Sequence, residues 1–244
     1  MILSVFIGCA IGAGLYKITK YKQKTAKRKE IHVPYGPYEA VIKRFLDIAL
    51  SGIMLVLLSP IMITVSILIK LKLGSPIIFL QDRPGKDKKI FKLCKFRSMT
   101  NKKDAQGNLL PDSVRLTSFG RKLRTTSLDE LPELLNIVKG DMSIVGPRPL
   151  LERYLPYYTE EENQRHCVRP GLTGLAQIHG RNNLGWSERL NYDVQYVSHI
   201  TFWEDCKIIF STILKVFKQC DVVKDGDYKM LDFDEERRNI NGDI

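Results

Sequence analysis

The chain has 244 residues, with 38 Lys+Arg against 27 Asp+Glu and a formal net charge of +11. That length suits one domain of ordinary size with attachments, and that charge suits an anionic partner: nucleic acid, a phosphorylated substrate or a membrane surface. Five scattered cysteines with no C-x-x-C, and four histidines without metal spacing, argue against a disulfide framework and a structural zinc site.

Residues 1–16 carry no charge, whereas 17–30 hold seven Lys/Arg against one Glu. Sixteen residues of helix reach roughly 24 Å, short of a ~30 Å hydrocarbon core. The positive charge follows the apolar run, which argues against a secretory signal and for a marginal span held by cytoplasmic charge. From Ile48 to Ile69, 22 residues again run without charge. A transmembrane helix is the default reading by length. Lys43 and Arg44 precede the run, and Lys70 and Lys72 follow it, so the positive-inside rule wants both ends in the cytoplasm. Ser59-Pro60 falls mid-run, where Pro removes a backbone donor. A re-entrant helix-break-helix with its break at Ser59 and Pro60 satisfies both observations.

Beyond Lys72 the composition is that of a globular domain. Ile77–Leu80 reads as a short buried strand ending at a Pro84-Gly85 turn. Residues 88–99 alternate basic with apolar, as a half-buried strand would, so Lys92, Lys95 and Arg97 either line a phosphate site or form a solvated edge. Residues 101–113 read as a polar surface loop.

Leu131, Leu134, Leu135 and Val138 have helical spacing, and Gly140 is a natural stop. Ser127 with Glu130 matches a capping box, or Asp129 is itself the cap. Two acids at a helix start need only the helix dipole to explain them. Arg121, Lys122 and Arg124 upstream and Gly146-Pro147-Arg148-Pro149 downstream add a second reading. Prolines on both sides fix Arg148 for a forked contact with phosphate, and nearby cations keep an Asp ionised. An ionised carboxylate can attack phosphorus, and a second one can hold Mg²⁺.

In residues 165–183, Gly171, Gly174 and Gly180 allow tight turns, and Arg169 and Arg181 offer charge. Residues 202–218 set Trp203, Cys206, Ile209 or Phe210, Ile213 and Phe217 on one helical face, for core packing or for an anionic lipid surface. Residues 221–244, with eight acids and four bases, read as a loosely ordered tail.

In this order, the apolar Ser59-Pro60 segment, "DRPG", "KFRSM", "SLDELPELLNIVKGDMSIVGPRPLL" and "RHCVRPGLTGLAQIHGRNN" resemble the bacterial sugar transferases, the monotopic polyprenyl-phosphate phosphoglycosyl transferases. The resemblance runs from about residue 40 to 225 and is nearest to the small members acting on UDP-acetamido sugars such as UDP-diacetylbacillosamine. It implies that Asp129 attacks the β-phosphorus of a UDP-sugar, releasing UMP, and that polyprenyl phosphate then takes the phosphosugar. Asp129 and Glu130 would be catalytic and would hold Mg²⁺; Lys95, Arg124, Arg148 and Arg169 would contact phosphate and uridine. The N-terminal apolar segment departs from the smallest members, and His179 stands where relatives are expected to carry Asn or Ser.

The expected fold is α/β mixed and membrane-associated, with a re-entrant helix-break-helix and amphipathic interfacial helices. Its parts are an N-terminal apolar segment with a basic linker (1–30), a re-entrant helix (31–72), a cytoplasmic catalytic domain (73–220) on the bacterial inner membrane and an acidic tail (221–244). Expected partners are a UDP-sugar, polyprenyl phosphate, inner membrane lipids and a second copy in a homo-oligomer, with no nucleic acid. Direct attack by the lipid phosphate in a ternary complex, a non-catalytic basic membrane-bound binder and a structural subunit are the competing readings.

Overall fold

The computed structural model describes residues 32, 34, 36–180, 184–218 and 231–241, and those from Pro34 onward form one compact unit. The N-terminal apolar segment, the basic linker and Arg181 lie outside the described residues.

The first element is a long helix, α1 (Lys43–Lys72), entered through a π-helical turn at Tyr38–Ile42. Among the described residues it is the helix long and apolar enough to cross a membrane. Phe45, Val56, Leu57, Ile63 and Leu71 on it are all well exposed. α1 keeps its helical backbone through Pro60, so the expected Ser59-Pro60 break is not an interruption of the helix. Pro60 has no N–H for the Val56 carbonyl, and the Ser59 hydroxyl donates to that oxygen instead, at 2.7 Å. Ser59-Pro60 therefore mends its own missing hydrogen bond.

Both ends of α1 are tied to the same unit. At its start Lys43 pairs with Asp205 at 2.6 Å, and Arg44 donates to the carbonyls of Ile137 and Val138 at 2.8 and 3.1 Å. One turn on, buried Asp47 accepts from Ser143 Oγ and the Ile144 amide. At its far end, buried Arg97 donates to the carbonyls of Leu73 and Ser75, and the Lys72 ammonium lies 5.1 Å from the Phe119 ring. Three of these cations thus have structural tasks that composition alone reads as membrane signals.

An antiparallel hairpin follows, β1 (Ile78–Pro84) and β2 (Ile90–Phe96), with Ile78 opposite Phe96. The strand expected to be buried is not: Ile78, Phe79 and Leu80 are exposed. On β2, Phe91, Leu93 and Lys95 share one face, as period-two alternation requires. After the one-turn helix α2 (Asp112–Arg115) come α3 (Ser118–Thr125) and α4 (Glu133–Lys139), which Gly140 ends at φ 108°, a left-handed conformation that suits glycine. The buried face of α4 is Leu134 with Ile137; Leu135 and Val138 of the expected stripe point outward.

Two short parallel strands, β3 (Ser143–Val145) and β4 (Gly171–Thr173), carry the chain past the site. Gly171 serves close approach rather than a turn: a Cβ there would lie 2.1 Å from the Gly146 nitrogen. Then come α5 (Leu175–His179), α6 (Trp186–Ser198) and α7 (Phe202–Lys218). On α7 the core side is Asp205 and Ile208 with Ile209 partly buried beside them, whereas Trp203, Phe210 and Ile213 of the expected stripe are exposed.

The tail is corrected over residues 231–241, the part of it that is described. Phe233–Asn241 forms a helix, α8, whose Phe233 is fully buried against Tyr154, Tyr158 and Trp186. One aromatic side chain with three aromatic partners offsets the ordering entropy that composition alone assigns to a disordered tail.

Candidate active site

The Asp129-Glu130 pair sits in a single 3₁₀ turn, Leu128–Glu130, ahead of α4. Leu128 and Leu131 on either side pack against the cluster of Val65, Ile69, Phe96 and Leu123. The flanking leucines thus anchor the turn that carries the two acids. The expected capping box does not form. Ser127 makes no side-chain cap and has φ 55°, a left-handed conformation that a non-glycine residue holds at a cost of ~1–2 kcal/mol. Glu130 turns its carboxylate away from that amide to two cations: Lys95 Nζ at 2.9 Å and Arg148 Nη2 at 2.5 Å, both on Oε1.

Glu133, one helical turn beyond Glu130, completes the cluster. The sequence reading missed it, although its i+3 spacing from Glu130 and i+4 from Asp129 are the signals that would have found it. It is almost wholly buried, with Oε1 3.1 Å from Lys95 Nζ. That oxygen lies off the hydrogen-bonding angle and forms no hydrogen bond.

Three carboxyls around two cations separate in acidity. Burial raises Glu130, but Arg148 and Lys95 outweigh it and hold Glu130 well below the usual carboxylate range. Burial, then the charge of Glu130, pushes Asp129 up to about 6, against the pull of Lys95, Arg124 and Arg148. The same two causes raise Glu133 to about 7. The described hydrogen bonds of Lys95 and Arg148 go to Glu130, and Arg124 turns its Nε to Ser98 Oγ at 2.9 Å, so Asp129 feels all three through charge. A carboxyl titrating near 6 is close to the operating pH of a general base or nucleophile.

Arg148 is held from behind. The buried guanidinium of Arg165 donates Nη2 to the Arg148 carbonyl at 2.6 Å and both Nε and Nη2 to Asp193 Oδ2, at 3.0 and 2.8 Å. Sequence reasoning gave Arg165 and Asp193 no role. Arg83, from "DRPG", donates to the Pro149 carbonyl at 3.3 Å and is lowered to about 10 by burial and by Arg148. The Pro-Arg-Pro segment therefore has two arginine supports besides its own rigid backbone.

A cavity of about 230 Å³ opens beside this cluster. Arg83, Lys95, Glu133 and Arg148 line its charged half; Leu150, Leu151, Tyr154 and Trp186 line the other. Ligand pockets commonly measure ~300–1,000 Å³, so this space takes part of a nucleotide-sized molecule.

Of the expected residues, the fold gathers Asp129, Glu130, Lys95 and Arg148, with Arg124 close enough to act on Asp129. It does not gather Arg169, whose Nε donates to the Gly140 carbonyl at the C-terminal end of α4 (2.9 Å), the end away from the acids. His179 stacks on Tyr192 with centroids 4.4 Å apart. For Mg²⁺, no group of three His, Cys, Asp or Glu side chains among the described residues is arranged to hold a metal ion. Asp129 and Glu130 nevertheless fit in kind, since Mg²⁺ takes one or two carboxylates and completes its shell with substrate phosphate and water.

Residues 38–219 match the family described as bacterial sugar transferase. The chain belongs to that family. The uncharacterized sugar transferase EpsL of Bacillus subtilis (strain 168) is 46% identical over 204 residues, 84% of this chain and 98% of its own length. The UDP-glucose:undecaprenyl-phosphate glucose-1-phosphate transferase of Klebsiella pneumoniae is 40% identical over 75% of this chain, but only 42% of its own length is matched. The exopolysaccharide production protein ExoY of Rhizobium meliloti (strain 1021) is 36% identical over 72% of this chain and 86% of its own length. In this sugar transferase the charged cluster and its cavity lie inside the matched residues, whereas α8 lies beyond them.

Proposed function

We propose that this sugar transferase moves a sugar-1-phosphate from a UDP-sugar to polyprenyl phosphate and releases UMP. The observation that carries the reading is Asp129: a buried carboxyl raised to about 6, beside a Lys95–Glu130–Arg148 cluster that opens onto a cavity. The transferase named in the Klebsiella pneumoniae relative supports the reaction class.

In the first step an Asp129 carboxylate oxygen attacks the β-phosphorus of the donor. The bond from that phosphorus to the bridging oxygen breaks, and UMP leaves with the oxygen and its electron pair. Lys95, Arg124 and Arg148 offset the phosphate charge, without which an anion would approach an anion. Glu130 holds Lys95 and Arg148 in place, and Arg165 holds Arg148 through its backbone. In the second step a phosphate oxygen of the acceptor attacks the same phosphorus. The Asp129–phosphorus bond breaks and the carboxylate is restored, leaving a polyprenyl-diphosphate sugar. Mg²⁺, held by Asp129 and Glu130, supplies charge neutralisation at the donor phosphates when bound.

The donor we propose is a UDP-acetamido sugar, whose methyl group suits the apolar half of the cavity. The reaction site lies at the cytoplasmic face of the bacterial inner membrane. Its support is α1: an apolar helix with both ends fastened to one unit, and with Pro60 removing a backbone donor near its middle, suits a segment that bends at Ser59-Pro60 and leaves by the leaflet it entered. The exposed Trp203, Phe210 and Ile213 on α7 suit the lipid interface.

The test is to incubate the chain with a UDP-sugar carrying ³²P at the β position and no acceptor. Protein-bound label with stoichiometric UMP, both absent in Asp129→Asn, is expected. UMP release only when polyprenyl phosphate is present, with no labelled protein, would overturn the covalent route in favour of direct transfer.

A further inference from the structure

The family match ends at residue 219, yet α8 reaches back to the cavity. Tyr154 and Trp186, the two aromatic residues of its lining, are also residues that receive Phe233. The Phe233 ring lies 5.5 Å from Tyr154 and 5.4 Å from Trp186, and stacks at 5.1 Å and 30° on Tyr158. It is fully buried.

Polar contacts orient the same two rings. The indole N–H of Trp186 donates to the Leu231 carbonyl at 2.8 Å, and the Tyr154 hydroxyl donates to Asp232 at 3.2 Å. Arg153 pairs with Asp232 and, at 3.6 Å, with Asp234. Arg237 pairs with Glu162 and covers the outer face of Phe233 at 5.0 Å. A structural plug needs only the buried ring. Here Leu231 and Asp232, which lead into α8, hold both polar tips of the cavity wall as well, so the rotamers of Trp186 and Tyr154 depend on α8 and its lead-in.

We infer that α8 is a donor-affinity element: by fixing Tyr154 and Trp186 it shapes the surface that receives the part of the UDP-sugar lying beyond the phosphates. This inference rests on the transferase reading above and assigns a task to a segment outside the matched family residues. Lys95 and Arg148 belong to the other half of the cavity and Asp129 lies outside its lining, so α8 acts on donor binding and leaves the chemical step alone.

The experiment measures UMP release against UDP-sugar concentration for the full chain and for Phe233→Ala, with Ile240→Ala, an exposed position on the same helix, as control. Phe233→Ala is expected to raise the KM for the UDP-sugar by at least fivefold with kcat within twofold; Ile240→Ala changes neither. A merely structural role lowers kcat through loss of folded enzyme at unchanged KM, and that outcome overturns the inference. If Phe233→Ala does not fold, Asp232→Asn, which loosens Arg153 and Tyr154 but keeps the buried ring, is read instead. A twofold to threefold rise in KM supports the inference and an unchanged KM overturns it. A wild-type chain that releases no UMP from any UDP-sugar removes the transferase reading, and this inference with it.

Discussion

The guanidinium of Arg148 belongs to one buried charge cluster and its carbonyl to another. Around the carbonyl, Arg165 meets Asp193 through two hydrogen bonds and also reaches the Tyr158 hydroxyl at 3.3 Å, with both charged side chains almost wholly buried. Here the cations are not outnumbered: Arg165 holds Asp193, and the charge of Arg189 acts on the same carboxylate, so the cluster is closed. Around the guanidinium, the three carboxyls Asp129, Glu130 and Glu133 crowd two close cations, and two of the acids are pushed up to about 6 and 7. The closed cluster has only a shape to keep. The crowded one holds carboxyls near neutrality, where a carboxylate can be used and then restored. The closed pair is also the more buried, its side chains 2–3% exposed against 18% for Lys95 and Glu130 and 40% for Arg148, so access as well as the ratio of charges separates structure from chemistry.

Changing one member in each cluster breaks that comparison most directly. Asp129→Asn is expected to lower UMP release at least ~10³-fold while the urea midpoint holds or rises, since a lost nucleophile removes a whole route. In the closed cluster the effect moves to stability. Arg165→Met leaves Asp193 buried without its hydrogen-bonded cation, at a cost of ~3–5 kcal/mol, read as a lower urea midpoint. The double variant Arg165→Met/Asp193→Leu regains part of that stability but not kcat, because the Arg148 carbonyl keeps no guanidinium donor.

The pH dependence sharpens the contrast. Single-turnover UMP release is expected to fall about tenfold per pH unit below about 6, where Asp129 takes up its proton. The smallest effect concerns Glu133. Its folded-state value of about 7 lies above the ordinary 4.5, so the folded state binds the proton more tightly. The stability this gives is full below about pH 4.5 and is lost as pH rises through about 7. Glu133→Gln is expected to remove ~1–3 kcal/mol of that slope, measured by thermal melts from pH 4.5 to 8. A slope unchanged in Glu133→Gln would mean that the crowded cluster is balanced like the closed one.

Local signals carried part of this a long way. Gly140 stops α4 because a left-handed terminus suits glycine, and the alternation in 88–99 is the half-buried strand β2. Asp129, Glu130 and Arg148 are close in sequence, and they do meet. Other local readings failed for identifiable reasons. Helical spacing nominated Leu135 and Val138 for the core, but packing against β2 chose Leu134 and Ile137. Proline chemistry nominated a break at Pro60, but the Ser59 hydroxyl took up the freed carbonyl. Acidic composition nominated a loose tail, but Phe233 found an aromatic pocket.

Sequence by itself determined the inventory: an uncharged run fit for a bilayer, a carboxylate pair beside fixed arginines, and a family written in the order of its motifs. Tertiary structure decided the pairings. Lys95 reaches Glu130 across 35 positions, Arg44 caps α4 from 93 positions away, and Arg169 goes to Gly140 instead of the acids. Charge is a property of a residue, whereas the acidity of Asp129 and Glu133 belongs to a neighbourhood that exists only once β2, α4 and the Pro-Arg-Pro segment are packed together.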